Sequence, residues 1–426
     1  MIQQFEKIEN INGILNLPGD KSISHRAVMF ASLAKGESVI QNCSNSEDVK
    51  STMNIFSQLG IRIDVGGEKI KITGNGFNSL RVPESELYAG NSGTTARLLS
   101  GILSAQNFNS VITGDESLSI RPMLRVVEPL RLMGAGINAS ELGTLPLIIN
   151  PTKNLHPIEY KMKVASAQVK SAIILAAIHL DGETIINETT KTRDHSERML
   201  GIKTEVQNNI TRIVVSKRNY PEPFEMTIPA DISTASFFIV LTLLAKDSEL
   251  IIKNVSLNPT RTGIINLLSS MGGSIEIENE VIVNGEICGD IKVKSSRLKN
   301  IDIPVDIIPN IIDEVPILSV AGLFAEGNFK INHAKELRIK ESDRIKSLCY
   351  NYKLLGLDVV EEDDGFELNG NIQNETDILF ESFGDHRIAM AFAVLSMQLK
   401  NGAAVNQFES VAVSNPDFLE QIKQLS

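Results

Sequence analysis

The chain repeats itself. Six times an apolar helical run ends in a short polar turn and passes into a β-rich stretch. The six are "SLAKGESVIQNC", "ILSAQNFNSVITGD", "AIHLDGETIINET", "LLAKDSELIIKNV", "GLFAEGNFKINHA" and "SMQLKNGAAVNQF", with turns near residues 36, 107, 182, 247, 327 and 402. In the first five a second helical run ends in Leu or Met, then Gly, then a strand: "FSQLGIRIDV", "LRLMGAGINA", "RMLGIKTEV", "LSSMGGSIEI" and "YKLLGLDVVE". Glycine just past a helix takes the left-handed cap without a Cβ penalty. Self-similarity of this kind constrains the fold more than any local motif, because neighbouring copies must bury each other's apolar faces.

The unit reads as strand–helix–strand–helix–strand with variable additional strands, which predicts an α/β (α+β) fold. Six units in 426 residues exceed one ordinary core, so two domains of three units are expected. The sixth unit stops at its second helix, "PDFLEQIKQLS", while "FEKIENINGILNLPG" is hairpin-like and belongs to no unit. The expectation is that the N-terminal stretch supplies the strands that unit six lacks. Residues 20–230 would then form a three-unit domain inserted into a second one made of 1–19 plus 231–426.

A hydrophobic share of 42% with 22% charged residues is that of a globular chain. The net charge of −11 argues against nucleic acid or an anionic membrane as the main partner. Cys43, Cys288 and Cys349 form no C-x-x-C pair, so neither a disulfide framework nor a zinc site is expected. No basic start leads into an apolar segment and no apolar run reaches membrane length, which predicts a cytoplasmic protein.

Against this acidic background, local cations need a reason. "LPGDKSISHR" (17–26) gathers Lys21, His25 and Arg26 beside Ser22 and Ser24 after a Pro-Gly turn, and "AVMFASLA" continues it as a helix. The spacing is not that of a Walker loop. Ser22 or Ser24 is the expected N-cap, and a helix N-terminus with two cations suits an anion. "AGNSGTTARLL" (89–99) has the same design around Gly90 and Gly93. "GDESLSIRPM" (114–123) places Arg121 at the end of a polar loop, followed by Pro122 and Arg125, and "ASAQVKSA" (165–172) sets Ser166, Gln168 and Lys170 at a helix front. "IDEVP" (312–316) puts Asp313 and Glu314 after the apolar approach "IPNII". "LRIKESDRIKSL" (337–348) alternates Arg338, Lys340, Glu341, Asp343, Arg344 and Lys346, and "FGDHRIAMAFAVL" (383–395) carries Asp385, His386 and Arg387. Each has a plain alternative: the alternating charges as a solvated helix face, Asp385 as a cap, His386 as a structural residue. Together they supply cations at corresponding places in both halves. That predicts a cleft between two domains whose ligands carry several negative charges.

Six ordered motifs, "LPGDKSISHR", "GNSGTTARLL", "RPMLRV", "SAQVKSA", "RIKESDR" and "GDHRIAMA", make the chain resemble 5-enolpyruvylshikimate-3-phosphate synthases over nearly its whole length. The resemblance implies two domains, each of three βαβαββ repeat units, with the active site in the interdomain cleft. It implies transfer of the enolpyruvyl (carboxyvinyl) group of phosphoenolpyruvate to the 5-hydroxyl of shikimate 3-phosphate by addition–elimination, with loss of orthophosphate. No metal and no cofactor are implied; the two substrates are the expected partners, and a monomer is expected. By resemblance, Lys21, Ser22, Arg26, Ser166, Gln168, Asp313 and Lys340 would hold shikimate 3-phosphate. Lys21, Gly93, Arg121, Gln168, Arg344 and Arg387 would hold phosphoenolpyruvate. Asp313 would act as base and Glu341 as acid, with Lys21 a further candidate for proton transfer. The apolar approach predicts a buried Asp313 with a raised pKa, whereas Lys340 and Arg344 oppose protonation of Glu341.

"RPMLRV" and "SAQVK" resemble the second bacterial class, which tends to resist glyphosate. The sequence also departs from the family. Val413 stands where many members carry lysine, Ala167 replaces a serine, and "TKTRDHSERM" differs around Arg193, a residue the resemblance places near the shikimate ring. Two alternatives have their own signatures. The transferase acting on UDP-N-acetylglucosamine carries a cysteine before its Arg-Pro, where "GDESLSIRP" has none. A repeat-built binding protein, such as a nucleic-acid clamp, would place cations on exposed helix faces and not at glycine turns.

Overall fold

The structure is a computed structural model that describes residues 1–67, 69–77 and 79–425. Six apolar helices, Lys21–Leu33, Gly93–Leu103, Ala167–Ala177, Ile232–Leu244, Val315–Phe324 and His386–Gln398, each run into a strand. Those strands are Lys35–Gln41, Ser110–Thr113, Thr184–Glu188, Glu249–Ser256, Phe329–Ile331 and Ala403–Asn406. The helices are apolar nearly all round, so they are buried nearly all round: every residue from Ile232 to Leu243 and from His386 to Met397 is inside. Second helices follow at Glu47–Gln58, Leu124–Leu132, His195–Met199, Gly263–Ser270 and Arg344–Leu354. The glycine past each has positive φ, from +59° at Gly201 to +98° at Gly272, which is why glycine stands there.

The chain divides into two compact units. One comprises Gly19–Ile228 and Ile282–Glu286; the other comprises Met1–Pro18, Pro229–Val281 and the chain from Ile287 on. Each has its own apolar core. In the first, the helices Gly93–Leu103 and Ala167–Ala177 cross so closely that a Cβ on Gly101 would lie 2.1 Å from the Ala172 carbonyl oxygen. Only glycine permits that approach.

Among the described residues each unit holds three sheets. In the first unit Lys35–Gln41 has Glu225–Thr227 parallel on one side and Lys69–Asn75 antiparallel on the other, and Arg62–Gly66 completes the row. The same order recurs in Leu87–Tyr88, Ser110–Thr113, Leu147–Asn150 and Gly136–Asn138. It recurs again in Glu159–Lys161, Thr184–Glu188, Ile210–Val215 and Thr204–Gln207. The second unit has sheets centred on Glu249–Ser256, on Gly365–Asn369 and on Ala403–Asn406.

The N-terminal stretch is not a hairpin. Gln3–Phe5 pairs antiparallel with Ala403–Asn406, in the sheet of the sixth repeat as expected, but Asn12–Leu15 pairs parallel with Glu249–Ser256 in a different sheet. The intervening Glu6–Ile11 lacks the Asn-Gly or Gly-X pair of a tight turn, and Ile8 N donates to the Met397 carbonyl, which carries the chain across to the second sheet. Among the described residues no single helix is long and apolar enough to cross a membrane.

Candidate active site

The candidate residues form one group in each unit, and several of them open or cap a helix at its N-terminus. Such ends present unpaired N–H groups and the positive end of the helix dipole. In the Gly19–Ile228 unit, the first helix opens on Lys21, and its cap corrects the sequence reading. Asp20 is the N-cap, accepting from Ile23 N at 2.9 Å. Neither Ser22 nor Ser24 has that role: Ser22 lies inside the helix, and buried Ser24 accepts from Ser44 N at 2.9 Å. A carboxylate two residues before Ser22 is the stronger partner for a positive helix end.

Lys21 Nζ pairs with Asp48 Oδ2 at 2.9 Å, both largely buried. Arg26, one turn further, is buried and held by neutral oxygens. Its Nε donates to Ser196 Oγ and its Nη2 to Ser171 Oγ, each at 2.8 Å, and its Nη1 to the Ser22 carbonyl at 3.0 Å. Burial lowers its pKa to about 10, with Glu197 and Asp20 opposing the shift and Arg193 adding to it. Arg193 therefore belongs to the same electrostatic neighbourhood.

Ser92 caps the helix that begins at Gly93, accepting from Thr95 N at 3.1 Å. A Cβ on Gly93 would fall 2.9 Å from Arg97 Nη1 and 3.5 Å from Arg121 Nη1. The glycine thus keeps the helix start open beside two guanidiniums. Arg97 Nη1 donates to Gln168 Oε1 at 2.6 Å, and Gln168 Nε2 to Thr94 Oγ1 at 3.0 Å. Arg121 Nη2 donates to Asn91 Oδ1 at 2.7 Å and to Ser117 Oγ at 3.1 Å. Ser166 caps the third helix, accepting from Val169 N at 3.4 Å. Gly93, Arg121 and Gln168 are therefore brought together, and Ser171, on the helix that Gln168 opens, reaches Arg26.

Asn91 lies in the small-residue turn that the sequence marks, without being a candidate ligand, and Arg97 is a residue the sequence motifs do not flag. The signal for Arg97 was a single cation inside an otherwise apolar helical run. Lys170 is at the helix front as expected, but it turns inward: it is fully buried and pairs with Glu188 at 3.0 Å and Glu197 at 2.8 Å. Two carboxylates leave that lysine no reach towards a ligand.

The second unit carries the other group. Lys340 Nζ lies 3.3 Å from Asp313 Oδ1 and Arg344 Nη1 lies 3.4 Å from it. Arg387 Nη1 donates to the Asp313 carbonyl at 2.9 Å, and its Nη2 is 3.8 Å from Asp313 Oδ2. Arg344 Nη2 meets Glu341 Oε2 at 2.6 Å, and its Nε meets Asp385 Oδ2 at 2.8 Å. Burial opposes charge on Arg344, yet Asp385, Glu341 and Asp313 outweigh it and raise the guanidinium above its ordinary range. Beneath lies Glu314, fully buried, which accepts from Ser233 Oγ and stands 3.6 Å from Arg387 Nη1.

Two sequence expectations change here. Residues 338–346 are not one solvated helix face. Lys335–Ile339 is a short 3-10 turn, and the helix starts at Arg344 under the Asp343 cap. The break turns Arg344 fully inward, while Arg338 reaches Asp343 at 2.9 Å and the Glu362 carbonyl at 2.6 Å. Asp313 is not buried as fully as its apolar approach suggests, and Lys340, Arg344 and Arg387 stand 3.3, 3.4 and 3.8 Å from its carboxylate oxygens. Asp385 combines the capping role with a second one: it accepts from Arg387 N at 2.9 Å and holds Arg344. Val413 ends a short 3-10 helix, Phe408–Val413. Among the described residues no cluster of His, Cys, Asp and Glu is placed to hold a metal ion.

The comparisons with known proteins agree with one another. The sequence profile of the EPSP synthase (3-phosphoshikimate 1-carboxyvinyltransferase) family matches residues 5–422. The chain is 47% identical over 421 residues to the 3-phosphoshikimate 1-carboxyvinyltransferase of Petrotoga mobilis, covering 98% of each. It superposes on the EPSP synthase of Acinetobacter baumannii with a TM-score of 0.86 at 39% identity, over 99% of this chain and 97% of that one. The enolpyruvyl transferase NikO of Streptomyces tendae, at 15% identity and a TM-score of 0.75, shares the fold over 100% of this chain and 97% of its own. The chain belongs to the EPSP synthase (3-phosphoshikimate 1-carboxyvinyltransferase) family.

Proposed function

We propose that the two charged groups are the halves of one active site in a cleft between two domains. The chain transfers the enolpyruvyl group of phosphoenolpyruvate to shikimate 3-phosphate. In the proposed site Lys21, Ser22, Arg26, Ser166, Gln168, Asp313 and Lys340 hold shikimate 3-phosphate. Lys21, Gly93, Arg121, Gln168, Arg344 and Arg387 hold phosphoenolpyruvate. The domains are residues 20–230 and 1–19 plus 231–426, each of three βαβαββ units; the recurring strand order and the separate cores support this.

One observation carries the reading. In a chain of net charge −11, candidate residues open or precede the buried helices starting at Lys21, Gly93, Ala167, Val315 and His386. Helix starts with cations suit anions, and both substrates are phosphate esters. Holding them together against their mutual repulsion contributes up to about 7–11 kcal/mol of barrier reduction.

The reaction needs two proton movements. As the acceptor oxygen attacks C2 of phosphoenolpyruvate, its proton passes to Asp313, and C3 receives a proton from Glu341. In the elimination the deprotonated Glu341 takes a proton back from C3, the bond from C2 to the phosphate oxygen breaks, and Asp313 returns its proton to the departing orthophosphate, restoring the double bond and the starting carboxyl states. Arg344, in contact with both carboxylates, holds them in place. Lys21 remains the rival for the base role, since a desolvated lysine also moves protons.

The test is orthophosphate release from phosphoenolpyruvate with each acceptor offered separately. Release is expected with shikimate 3-phosphate and absent with UDP-N-acetylglucosamine; the reverse would overturn the reading. The motifs "RPMLRV" and "SAQVK" support assignment to the second bacterial class, so glyphosate is expected to inhibit weakly and in competition with phosphoenolpyruvate. Tight inhibition would contradict that assignment. The chain is proposed to act as a monomer in the cytoplasm.

A further inference from the structure

Behind Gly93 runs a buried chain of hydrogen bonds that the reaction does not itself require. His25 Nδ1 lies 2.7 Å from Thr52 Oγ1, which lies 2.7 Å from Thr95 Oγ1. Thr95 Oγ1 donates to Ser92 Oγ at 2.8 Å, and the same oxygen accepts from Thr95 N at 3.1 Å. All four residues are essentially inaccessible to solvent.

The proton count fixes the direction. Thr95 has one hydroxyl proton, and it goes to Ser92; Thr95 therefore accepts from Thr52, whose hydroxyl lies 2.7 Å from it but 3.5 Å from its other acceptor, the Asp48 carbonyl. Thr52 then has no proton left for His25, so His25 donates from Nδ1. That requires Nδ1–H on the ring, and the ring is neutral because burial, with Lys21 and Arg26 adding to it, holds its pKa well below 6.5. Each bond thus depends on the one before it.

The chain joins three helices. His25 stands on Lys21–Leu33, Thr52 on Glu47–Gln58, and Thr95 and its cap Ser92 at the start of Gly93–Leu103. Apolar side chains of the same shape would pack these helices at less cost in desolvation. A buried polar chain instead specifies one arrangement. Its end point is the cap immediately before Gly93.

We propose that His25, Thr52 and Thr95 are positioning residues that, through Ser92, fix the Gly93 turn and so set affinity for phosphoenolpyruvate separately from that for shikimate 3-phosphate. The proposal rests on the assignment of Gly93 to the phosphoenolpyruvate subsite. Thr95→Val keeps the shape but removes the donor to Ser92, and Thr52→Val removes the link to His25.

Steady-state kinetics of the full chain with each substrate varied provide the test. For Thr95→Val the KM for phosphoenolpyruvate should rise about tenfold, the scale of one net hydrogen bond, while that for shikimate 3-phosphate stays within about twofold. Thr52→Val should shift the same constant by about threefold, and Thr95→Ser, which keeps the hydroxyl, should restore it. Should Thr95→Val fail to melt cooperatively, Thr52→Val gives the same readout. Parallel rises in both KM values, an unmoved KM for phosphoenolpyruvate in a folded variant, or failure of Thr95→Ser to rescue would each overturn the proposal. Gly93→Ala separates the two layers. A Cβ beside Arg97 should raise the KM for phosphoenolpyruvate; no change would remove the subsite assignment and the positioning role with it. A rise there with no effect of the threonine variants would overturn the positioning role alone.

Discussion

Arg26 and Arg344 are both buried, at 3% and 1% exposure, and both sit near helix starts that carry candidate residues. They are held in opposite ways. Arg26 is gripped by two serine hydroxyls and a carbonyl, and burial drags its pKa down to about 10. Arg344 is gripped by Asp385, Glu341 and Asp313, which raise it above the ordinary range against the same burial. A cation held by neutral oxygens keeps its field for an arriving anion. A cation ringed by carboxylates shares its field with them and holds them in place. The first arrangement suits capture of shikimate 3-phosphate, and the second lets Arg344 fix the two proton-transfer carboxylates beside the phosphoenolpyruvate it is proposed to hold. Burial disfavours the charge on Arg26, where the carboxylates around Arg344 favour the charge there.

The largest effect that would sharpen this division is on the chemistry. Glu341→Gln and Asp313→Asn should each lower turnover by about 10²–10⁴-fold. Glu341→Gln should bind both substrates yet lose most deuterium incorporation at the methylene carbon in heavy water. Asp313→Asn should fail to form the tetrahedral adduct in a single turnover. If Asp313→Asn formed the adduct at a near-normal rate while Lys21→Met abolished it without weakening binding, the base would be Lys21.

Stability should divide the two arginines next. Arg344→Met leaves three carboxylates without their shared cation and should cost about 3–5 kcal/mol in urea denaturation. Arg26→Met removes a buried charge from among hydroxyls that already bond one another, Ser171 to Ser196 at 2.8 Å, and should cost little. Equal losses would break the comparison.

A smaller effect lies in pH. In the folded chain His25 is held well below 6.5 by burial, then by Lys21 and Arg26. Below about pH 6.5 the unfolded chain takes up a proton there that the folded chain refuses, so stability falls as pH drops towards the folded value. Arg26→Met removes one of the opposing cations. It should raise the His25 pKa in an NMR titration and make that fall shallower; an unchanged pKa would mean that burial and Lys21 set it without Arg26.

Much of this was legible in the sequence. The alternation of apolar helix, turn and strand marked all six buried helices, and the glycines after the second helices marked their ends. The six charged motifs marked the residues of both groups. What sequence could not show was direction. Lys170 and Gln168 are two residues apart on one helix, yet Lys170 turns to Glu188 and Glu197 while Gln168 meets Arg97. The break before Arg344 is equally hidden, because an alternating charge pattern suits a helix face as well as a turn. The N-terminal strands separate because their partners lie far along the chain, and local alternation carries no record of a distant edge.

Binding of shikimate 3-phosphate alone, followed by calorimetry without phosphoenolpyruvate, tests the central claim most directly. Arg26→Met should weaken it by at least about tenfold, the loss of charge-assisted bonds to a phosphate. Arg344→Lys, which keeps the charge but not the paired contacts, should leave it within about threefold of the unaltered chain. Unchanged affinity in Arg26→Met, with a large loss in Arg344→Lys, would contradict the division of labour proposed for the two arginines.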